Sequence, residues 1–415
     1  MRVKFLTFGC KVNQYESQIL RERCRQAGHE VIAGDDCDIV VVNSCCVTAR
    51  AEKEIRRIVR QWTARGKRVR LTGCYAVRES GRWKGLIPAV EIFSKDDPSP
   101  DLFAAGKDGI SSFDGHTRAF VKVGDGCDNR CAYCVVPLVR GPAHSRGERE
   151  ILAEVGRLAG NGYREVVLTG IDLGSYGADT GTDLAVLVKK IAVVRGVERI
   201  RLSSLEIFHL SDGLCRVLRE IPSFCPHFHL PLQSGSDRIL RFMGRRYTAG
   251  EYLDVVGRVR GLFPDATFST DVMVGFPGET GEDFSATIST VRAVRFLKMH
   301  IFPYSPREGT RAAGMADVVP LPDVQERECR LLALDHAMKL SVKEGFLGSR
   351  QELLIETEQG RLRRGLTRHY LPVVVRSETL PSNSIVTVML ERLSGKEIVG
   401  SLSEKRAMKS VGRTT

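Results

Sequence analysis

Three cysteines stand close together at Cys127, Cys131 and Cys134, with three and then two residues between them. The apolar stretch Ala119-Phe-Val-Lys-Val123 runs into them like a strand ending in a loop. Thiolates at short spacings hold iron–sulfur clusters, and a [4Fe–4S] cube takes four ligands. This loop offers three. One iron is then free to bind something other than protein, which describes a reaction centre rather than an electron wire. A zinc knuckle would join a C-x-x-C to a second pair of ligands, and no such pair lies nearby in the sequence. The chain has twelve cysteines and opens directly on strand-like Val3–Phe8, with no leader pattern. That usage points to thiol and metal chemistry in a reducing compartment, not to a disulfide scaffold.

These cysteines need elements to hold them. Residues 1–115 read as an open α/β domain. Val3–Phe8, Ile39–Val42 and Arg68–Thr72 are strand-like, and the second is a continuous apolar run, as a buried parallel strand shows. Helical periodicity covers Gln14–Ala27 and Ala51–Gln61. Cys10, Cys45 and Cys74 each follow one of the strands at its carboxyl end, where open α/β sheets bind ligands. Three such positions predict a second three-thiolate site. Cys24 and Cys37 read as ordinary buried cysteines. Cys46 adjoins Cys45 and faces the other way in an extended chain. Cys45 is the expected ligand, with Cys46 as the alternative.

Residues 116–345 alternate strand and helix. Strand-like stretches at Ala119–Val123, Glu165–Leu168, Arg199–Ser203, His227–Leu232, Thr267–Val274 and Leu297–Tyr304 predict a parallel sheet curved into a partial (β/α)6 barrel. Barrel sites sit at the carboxyl ends of strands. Those ends carry Thr169-Gly170, Ser203-Ser-Leu-Glu206, His229-Leu-Pro-Leu-Gln-Ser-Gly-Ser236, Gly275-Phe-Pro-Gly-Glu279 and Phe302-Pro-Tyr-Ser305. Arg140, Arg146, Arg245 and Arg246 suit phosphate or carboxylate groups, although a solvated surface position is the default for each. His209, His227 and His229 read as packing or substrate residues. A helical connector spans residues 320–345. In residues 346–415, strand-like Glu352–Glu356, Leu371–Val375, Ile385–Leu390 and Ile398–Gly400 predict a small antiparallel β-barrel. That segment holds twelve Lys and Arg against seven Glu, and a basic barrel face can follow a nucleic-acid backbone.

The whole chain has 415 residues, 62 basic against 50 acidic, for a net charge of +12. This favours a polyanionic partner, nucleic acid first. No run of apolar residues is long enough for a membrane helix, so no membrane partner is expected.

The three-cysteine loop, with Tyr133 in the aromatic slot before its last cysteine, resembles the signature of radical S-adenosylmethionine (SAM) enzymes. The resemblance implies that the free iron chelates SAM, and that reduction cleaves SAM to methionine and a 5′-deoxyadenosyl radical. It implies the three-quarter barrel as well, with Tyr133, Thr169, Gly170, Ser204, Glu206, Gln233 and Gly275 as the SAM-binding positions. Thr7-Phe-Gly-Cys-Lys-Val-Asn-Gln-Tyr-Glu-Ser17, Asn43-Ser-Cys45 and Thr72-Gly-Cys-Tyr-Ala76, taken with that loop, resemble the methylthiotransferase family over essentially the whole chain. Gly9-Cys-Lys-Val-Asn-Gln14 and Val136-Pro-Leu-Val-Arg-Gly141 favour the branch that modifies N6-threonylcarbamoyladenosine in tRNA. Cys46 departs from the pattern, where a small residue is more usual. The resemblance implies a second [4Fe–4S] cluster on Cys10, Cys45 and Cys74 that holds sulfur, with one SAM methylating it and a second SAM supplying the radical. The implied target is C2 of the adenine beside the anticodon. Gly365-Leu-Thr-Arg-His-Tyr370 resembles the TRAM domain, an RNA-binding module. A flavodoxin or ferredoxin as electron donor and a cytoplasmic location complete the expectation; the sulfur donor is not specified. Three other readings stay open: isopentenyladenosine in tRNA as substrate, a ribosomal-protein aspartate as substrate, or an RNA-binding iron–sulfur sensor without turnover.

Overall fold

The computed structural model describes residues 1–87, 90–94, 101–105 and 109–403. The chain begins β1 (Arg2–Thr7), α1 (Lys11–Gln26), β2 (Glu30–Ile32), β3 (Ile39–Ser44), α2 (Ala49–Ala64), β4 (Arg68–Gly73), α3 (Cys74–Arg78), α4 (Ser80–Leu86) and β5 (Val90–Ile92). The strands form one parallel sheet in the order β2-β1-β3-β4-β5. β3 is buried along its whole length, as its apolar run requires. α1 starts at Lys11, not Gln14, because Cys10 is its N-cap and the Cys10 carbonyl accepts the Gln14 N–H at 3.1 Å. The first turns of α1 bury Asn13, Glu16, Ser17 and Gln18. An inward face this polar gives no hydrophobic period to read.

The central domain runs β6 (Arg118–Lys122), β7 (Gly124–Asp125), α5 (Val136–Arg140), β8 (His144–Ser145), α6 (Glu148–Gly160), β9 (Glu165–Thr169), α7 (Leu184–Ala192), β10 (Arg199–Leu202), α8 (Asp212–Glu220), β11 (His227–His229), α9 (Asp237–Met243), α10 (Ala249–Leu262), β12 (Thr267–Val274), α11 (Gly281–Val294) and β13 (Lys298–Pro303). β6, β9 and β10 are parallel neighbours, as are β11, β12 and β13, and a parallel bridge from Ser204 to His229 joins the two groups. The six strands thus make one open, curved parallel sheet. The short β7–β8 hairpin, which no apolar run announces, brackets the cysteine loop. The core between sheet and helices includes Val155, Val166, Leu187, Ile200, Phe228, Phe268 and Val291, and Ile110 and Phe113 join it from the segment before β6.

α12 (Leu321–Glu344) connects to β14 (Arg350–Gln359), β15 (Leu362–Thr367), β16 (Pro372–Arg376), β17 (Ile385–Ser394) and β18 (Glu397–Leu402), a closed barrel in the order β14-β15-β16-β18-β17. Four of its pairings are antiparallel and β16–β18 is parallel. β15 hides from sequence reading because Arg363 points inward, where it donates to the carbonyls of Gly360 and Leu380, both at 2.6 Å. The barrel docks on the amino ends of the parallel strands. Glu165, fully buried, accepts from Arg201 Nε at 2.6 Å and forms an ion pair with Arg199, 2.8 Å away. The same arginines donate onward to the carbonyls of Leu366, Thr367 and Arg368. Tyr370 stacks on His227, with centroids 4.7 Å apart. Arg363 and Arg368 are therefore structural, and Lys405, Arg406, Lys409 and Arg413 lie outside the described residues. The basic face of this barrel is thinner than its composition predicts. It also sits at the end of the parallel sheet opposite the strand termini where sites form.

Candidate active site

The cysteine loop is held by backbone at both ends. Cys127 N–H donates to the Gly141 carbonyl at 3.1 Å and Ala132 N–H to the Met243 carbonyl at 2.7 Å. Gly126 lets the strands close: its φ is +70°, and a Cβ there would lie 1.8 Å from the Pro142 carbonyl oxygen. Donors converge on the sulfurs. Asn129 N–H reaches Cys127 Sγ at 3.4 Å, and Arg245 Nη1 reaches Cys131 Sγ at 3.3 Å. Burial pushes the Cys134 thiol up to about 12. It is no free thiolate at neutral pH, and a metal is what would make it one.

The second triad sits where three adjacent parallel strands end. Thr7 pairs with Asn43 and Ser44 with Gly73, so the residues that follow each strand are brought together. A Cβ on Gly9 would stand 3.1 Å from the Cβ of Cys45. Asn13 and Asn43 lock the loops: Asn13 Nδ2 donates to Asn43 Oδ1 at 3.0 Å, and Asn43 Nδ2 to the Asn13 carbonyl at 2.9 Å. Ser44 Oγ accepts the Ala76 N–H at 3.0 Å, which fixes the turn carrying Cys74. Arg140 Nε donates to Cys74 Sγ at 3.2 Å. Burial pushes Cys45 up to about 11. Cys74 is drawn the other way, first by a hydrogen bond from the Cys46 thiol and then, against burial, by Arg140. Cys46 is fully buried in the core with Val42, Leu71 and Trp83. This placement favours Cys45 over Cys46 as the residue free to take a ligand.

Thiolates around one tetrahedral zinc, with bonds of about 2.3 Å, stand roughly 3.8 Å apart. Among the described residues, neither cysteine triad brings its sulfurs within 4.8 Å of one another; the group that does close to that spacing is His229, Asp271 and His300. Each triad has an arginine donor at one sulfur, Arg245 at Cys131 and Arg140 at Cys74, which would offset the charge of bound thiolates.

One cysteine of each triad, Cys10 and Cys134, lines a single cavity of about 710 Å³. That volume is within the usual range for ligand sites. Its walls hold orphaned polar atoms: Ser203 Oγ, Gln233 Oε1 and Tyr304 Oη are buried without a hydrogen-bond partner among the described residues. Gln233 also has φ of +62°, which costs energy in a non-glycine residue and clusters at functional sites. A polar ligand such as SAM would satisfy these atoms.

Of the positions expected to meet SAM, Tyr133, Thr169, Gly170, Ser204 and Gln233 line this cavity. Glu206 and Gly275 do not. Glu206 is bonded to Arg245, behind Cys131. Gly275 faces α12, where a Cβ would lie 2.5 Å from Val324 Cγ2, and its N–H donates to Glu279 at 2.8 Å. The arginines depart from the solvated default. Arg140 and Arg245 have side chains only 5% and 4% exposed. Arg140 bridges Glu16 and Asp125, both at 2.9 Å, and so ties α1 to the cluster loop. Arg146 pairs with Glu154 at 2.7 Å. Arg246 alone is exposed. Sequence reasoning passed over Lys11, Asp271 and His300, which line the cavity. Lys11 lay in a motif already noted, but nothing local marks the other two.

The Radical SAM superfamily matches residues 121–291, and the family described as Uncharacterized protein family UPF0004 matches residues 2–94. Threonylcarbamoyladenosine tRNA methylthiotransferase MtaB of Thermotoga maritima is 36% identical over 85% of this chain and 86% of its own. The enzyme of the same name from Chlamydia pneumoniae is 35% identical over 96% and 97%. The tRNA-2-methylthio-N(6)-dimethylallyladenosine synthase of Pelotomaculum thermopropionicum is 35% identical over 87% and 88%. Among solved structures, the radical SAM methyltransferase TsrM of Kitasatospora setae, with cobalamin and a [4Fe–4S] cluster bound, aligns over 75% of this chain and 77% of its own. Its TM-score is 0.52 at 14% identity, a likeness of fold alone. With two curated relatives more than a third identical over 85% and 96% of its length, and with a cysteine of each triad lining one cavity, this chain belongs to the radical SAM tRNA methylthiotransferases.

Proposed function

We propose that this enzyme converts the C2–H of N6-threonylcarbamoyladenosine, beside the tRNA anticodon, into C2–S–CH3. The observation that carries the reading is the shared cavity, which Cys10 and Cys134 both line. Cys127, Cys131 and Cys134 would hold one [4Fe–4S] cluster, and Cys10, Cys45 and Cys74 the other. When bound, the first cluster with SAM would supply a radical able to take hydrogen from an unactivated C–H, the second would supply the sulfur, and another SAM the methyl group.

The protein's part is position and exclusion of water. Tyr133, Thr169, Gly170, Ser204 and Gln233 would contact SAM. Phe120, Val136 and Phe302 give the wall its apolar surface. Arg140 and Arg245 hold positive charge against the ligand sulfurs. Relatives named for both threonylcarbamoyl and dimethylallyl adenosines match at similar identity. The charged Lys11 and Asp271 and the polar His300 in the cavity wall support the polar substrate. Arg50, Lys53, Arg57 and Arg60 repeat on one exposed face of α2, which starts at the cavity's Thr48, and would meet tRNA phosphates. The C-terminal barrel would act as a TRAM-like second contact. A small flavodoxin or ferredoxin would deliver electrons in the cytoplasm. No helix among the described residues is long and apolar enough to cross a membrane.

The test is mass spectrometry of tRNA nucleosides from cells with and without the gene, complemented by Cys127→Ala or Cys74→Ala. Loss of the methylthio nucleoside with gain of its threonylcarbamoyl parent is expected without the gene and with either variant. In vitro, Cys127→Ala abolishes SAM cleavage, whereas Cys74→Ala retains it and inserts no sulfur. Loss of the dimethylallyl counterpart would move the substrate to the other branch. Normal sulfur insertion by Cys74→Ala would overturn the two-cluster assignment.

A further inference from the structure

The cavity lining holds one lysine, Lys11, and, among the described residues, one carboxylate, Asp271. Lys11 opens α1 directly after Cys10, and its ammonium lies over the Phe120 ring, 6.0 Å from the centroid. Among the described residues it forms no ion pair and no hydrogen bond. The one carboxylate nearby, Asp271, is already engaged: His229 Nε2 lies 3.3 Å from its Oδ2, and His229 Nδ1 is bonded to Ser269 Oγ at 2.9 Å. His300 stands across from His229, ring centroids 5.7 Å apart, with no hydrogen-bond partner of its own among the described residues. Close by, Gln233, only 7% exposed, has an unpartnered Oε1. The first turn of α1 carries no acidic residue, so its N-terminal dipole adds to the positive field. His229, Asp271 and His300 are close enough to bracket a cation. The ammonium of Lys11, within electrostatic reach of Asp271 and His300, disfavours that occupant.

We infer that Lys11 and His300 form a carboxylate-binding subsite that takes the amino-acid carboxylate of the modified adenosine and selects it over bases with apolar N6 groups. This rests on the reading that the substrate carries a threonylcarbamoyl group. An ammonium bonded to a carboxylate inside a partly desolvated cavity is a charge-assisted contact, stronger than a neutral one. The imidazole of His300 adds a donor from β13. An apolar N6 group would leave both unpaired, which is how a polar site rejects an apolar analogue.

The test is equilibrium binding of an anticodon stem–loop RNA bearing N6-threonylcarbamoyladenosine, against the same RNA with that carboxylate converted to its primary amide. The cluster-loaded enzyme is used without SAM. The expected result is acid over amide by about tenfold or more for the native enzyme. For Lys11→Met and Lys11→Gln the ratio falls to near one, and for His300→Gln it falls part-way. Each ratio is internal to one protein, so a variant that merely damages the fold weakens both RNAs alike and leaves the ratio intact. An intact ratio in both Lys11 variants overturns the inference, as does a native enzyme that does not distinguish acid from amide. If Lys11 variants cannot be loaded, the native ratio decides. Methylthiolation of the acid RNA by native enzyme is scored separately: its failure would sink the substrate reading, whereas success with an unchanged ratio sinks the subsite alone.

Discussion

Arg140→Met is the most informative single change. Arg140 is long and almost fully buried. Its Nη1 lies 2.9 Å from both Glu16 and Asp125, whose side chains are 5% and 2% exposed. Lys122 contributes the other positive charge, 3.4 Å from Glu16 and 3.1 Å from Asp125. Two cations thus balance two carboxylates, and Cys74 adds a further negative charge when it is a thiolate. Methionine keeps most of the volume and removes the charge, leaving one carboxylate uncompensated in a dry interface between α1 and the cluster loop. Removing one partner of a buried ion pair costs about 3–5 kcal/mol. Glu16→Gln in the Arg140→Met background removes the stranded charge and should recover part of the loss, as a double-mutant cycle reads. A chain of several domains does not unfold in one step. The assay is therefore hydrogen exchange of the amides of α1 and the 124–146 loop in cluster-loaded protein, with the urea midpoint alongside. A change below about 1 kcal/mol in the opening free energy of both segments, or a double variant no better than the single, would refute the claim that this arginine holds the two domains together.

Three further outcomes are expected. Gly126→Ala should prevent the loop from closing, because its Cβ would strike the Pro142 carbonyl at a φ of +70°; iron loading at the 127–134 site then falls while the second site still loads, as Mössbauer or iron-to-protein ratios would show. His227 is held well below its ordinary value by burial and then by Arg201. Its neutral form favours the folded state, so this stabilisation is complete above the unfolded histidine value of about 6.5 and is lost as pH falls below it, by up to ~1.4 kcal/mol per pH unit. The stability difference between native protein and His227→Gln should therefore shift towards the variant between pH 7 and pH 5.5, and a flat difference would show that the residue is not buried neutral. Lys53→Glu and Arg60→Glu on α2 should each weaken tRNA binding and reduce the log–log salt slope by about 1. An unchanged slope in both would remove α2 from the tRNA interface.

The cysteine spacings and the six parallel strands of the central sheet were legible in the sequence, whereas β2, β5, β15 and the β7–β8 hairpin were not. Spacing of thiols is a local property, and a buried parallel strand must be an apolar run wherever it lies. Cys10, Cys45 and Cys74 could be grouped because each follows such a run, and parallel strands bring their carboxyl ends to one edge. What the tertiary structure alone decided is the fate of charge. Arg140 and Arg245 look like surface arginines until the fold packs carboxylates and sulfurs around them. Glu206 and Gly275 sit in strand-end motifs, yet one is taken by Arg245 and the other by α12. The basic C-terminal segment folds as a barrel at the amino ends of the parallel strands, away from the cavity, because Glu165 and its arginines anchor it there. Lys11, Asp271 and His300 come from three distant parts of the chain and share one wall only once β12, β13 and α1 are assembled. Residue type sets what a side chain can do. Whether it has a partner depends on distances that only the folded chain creates.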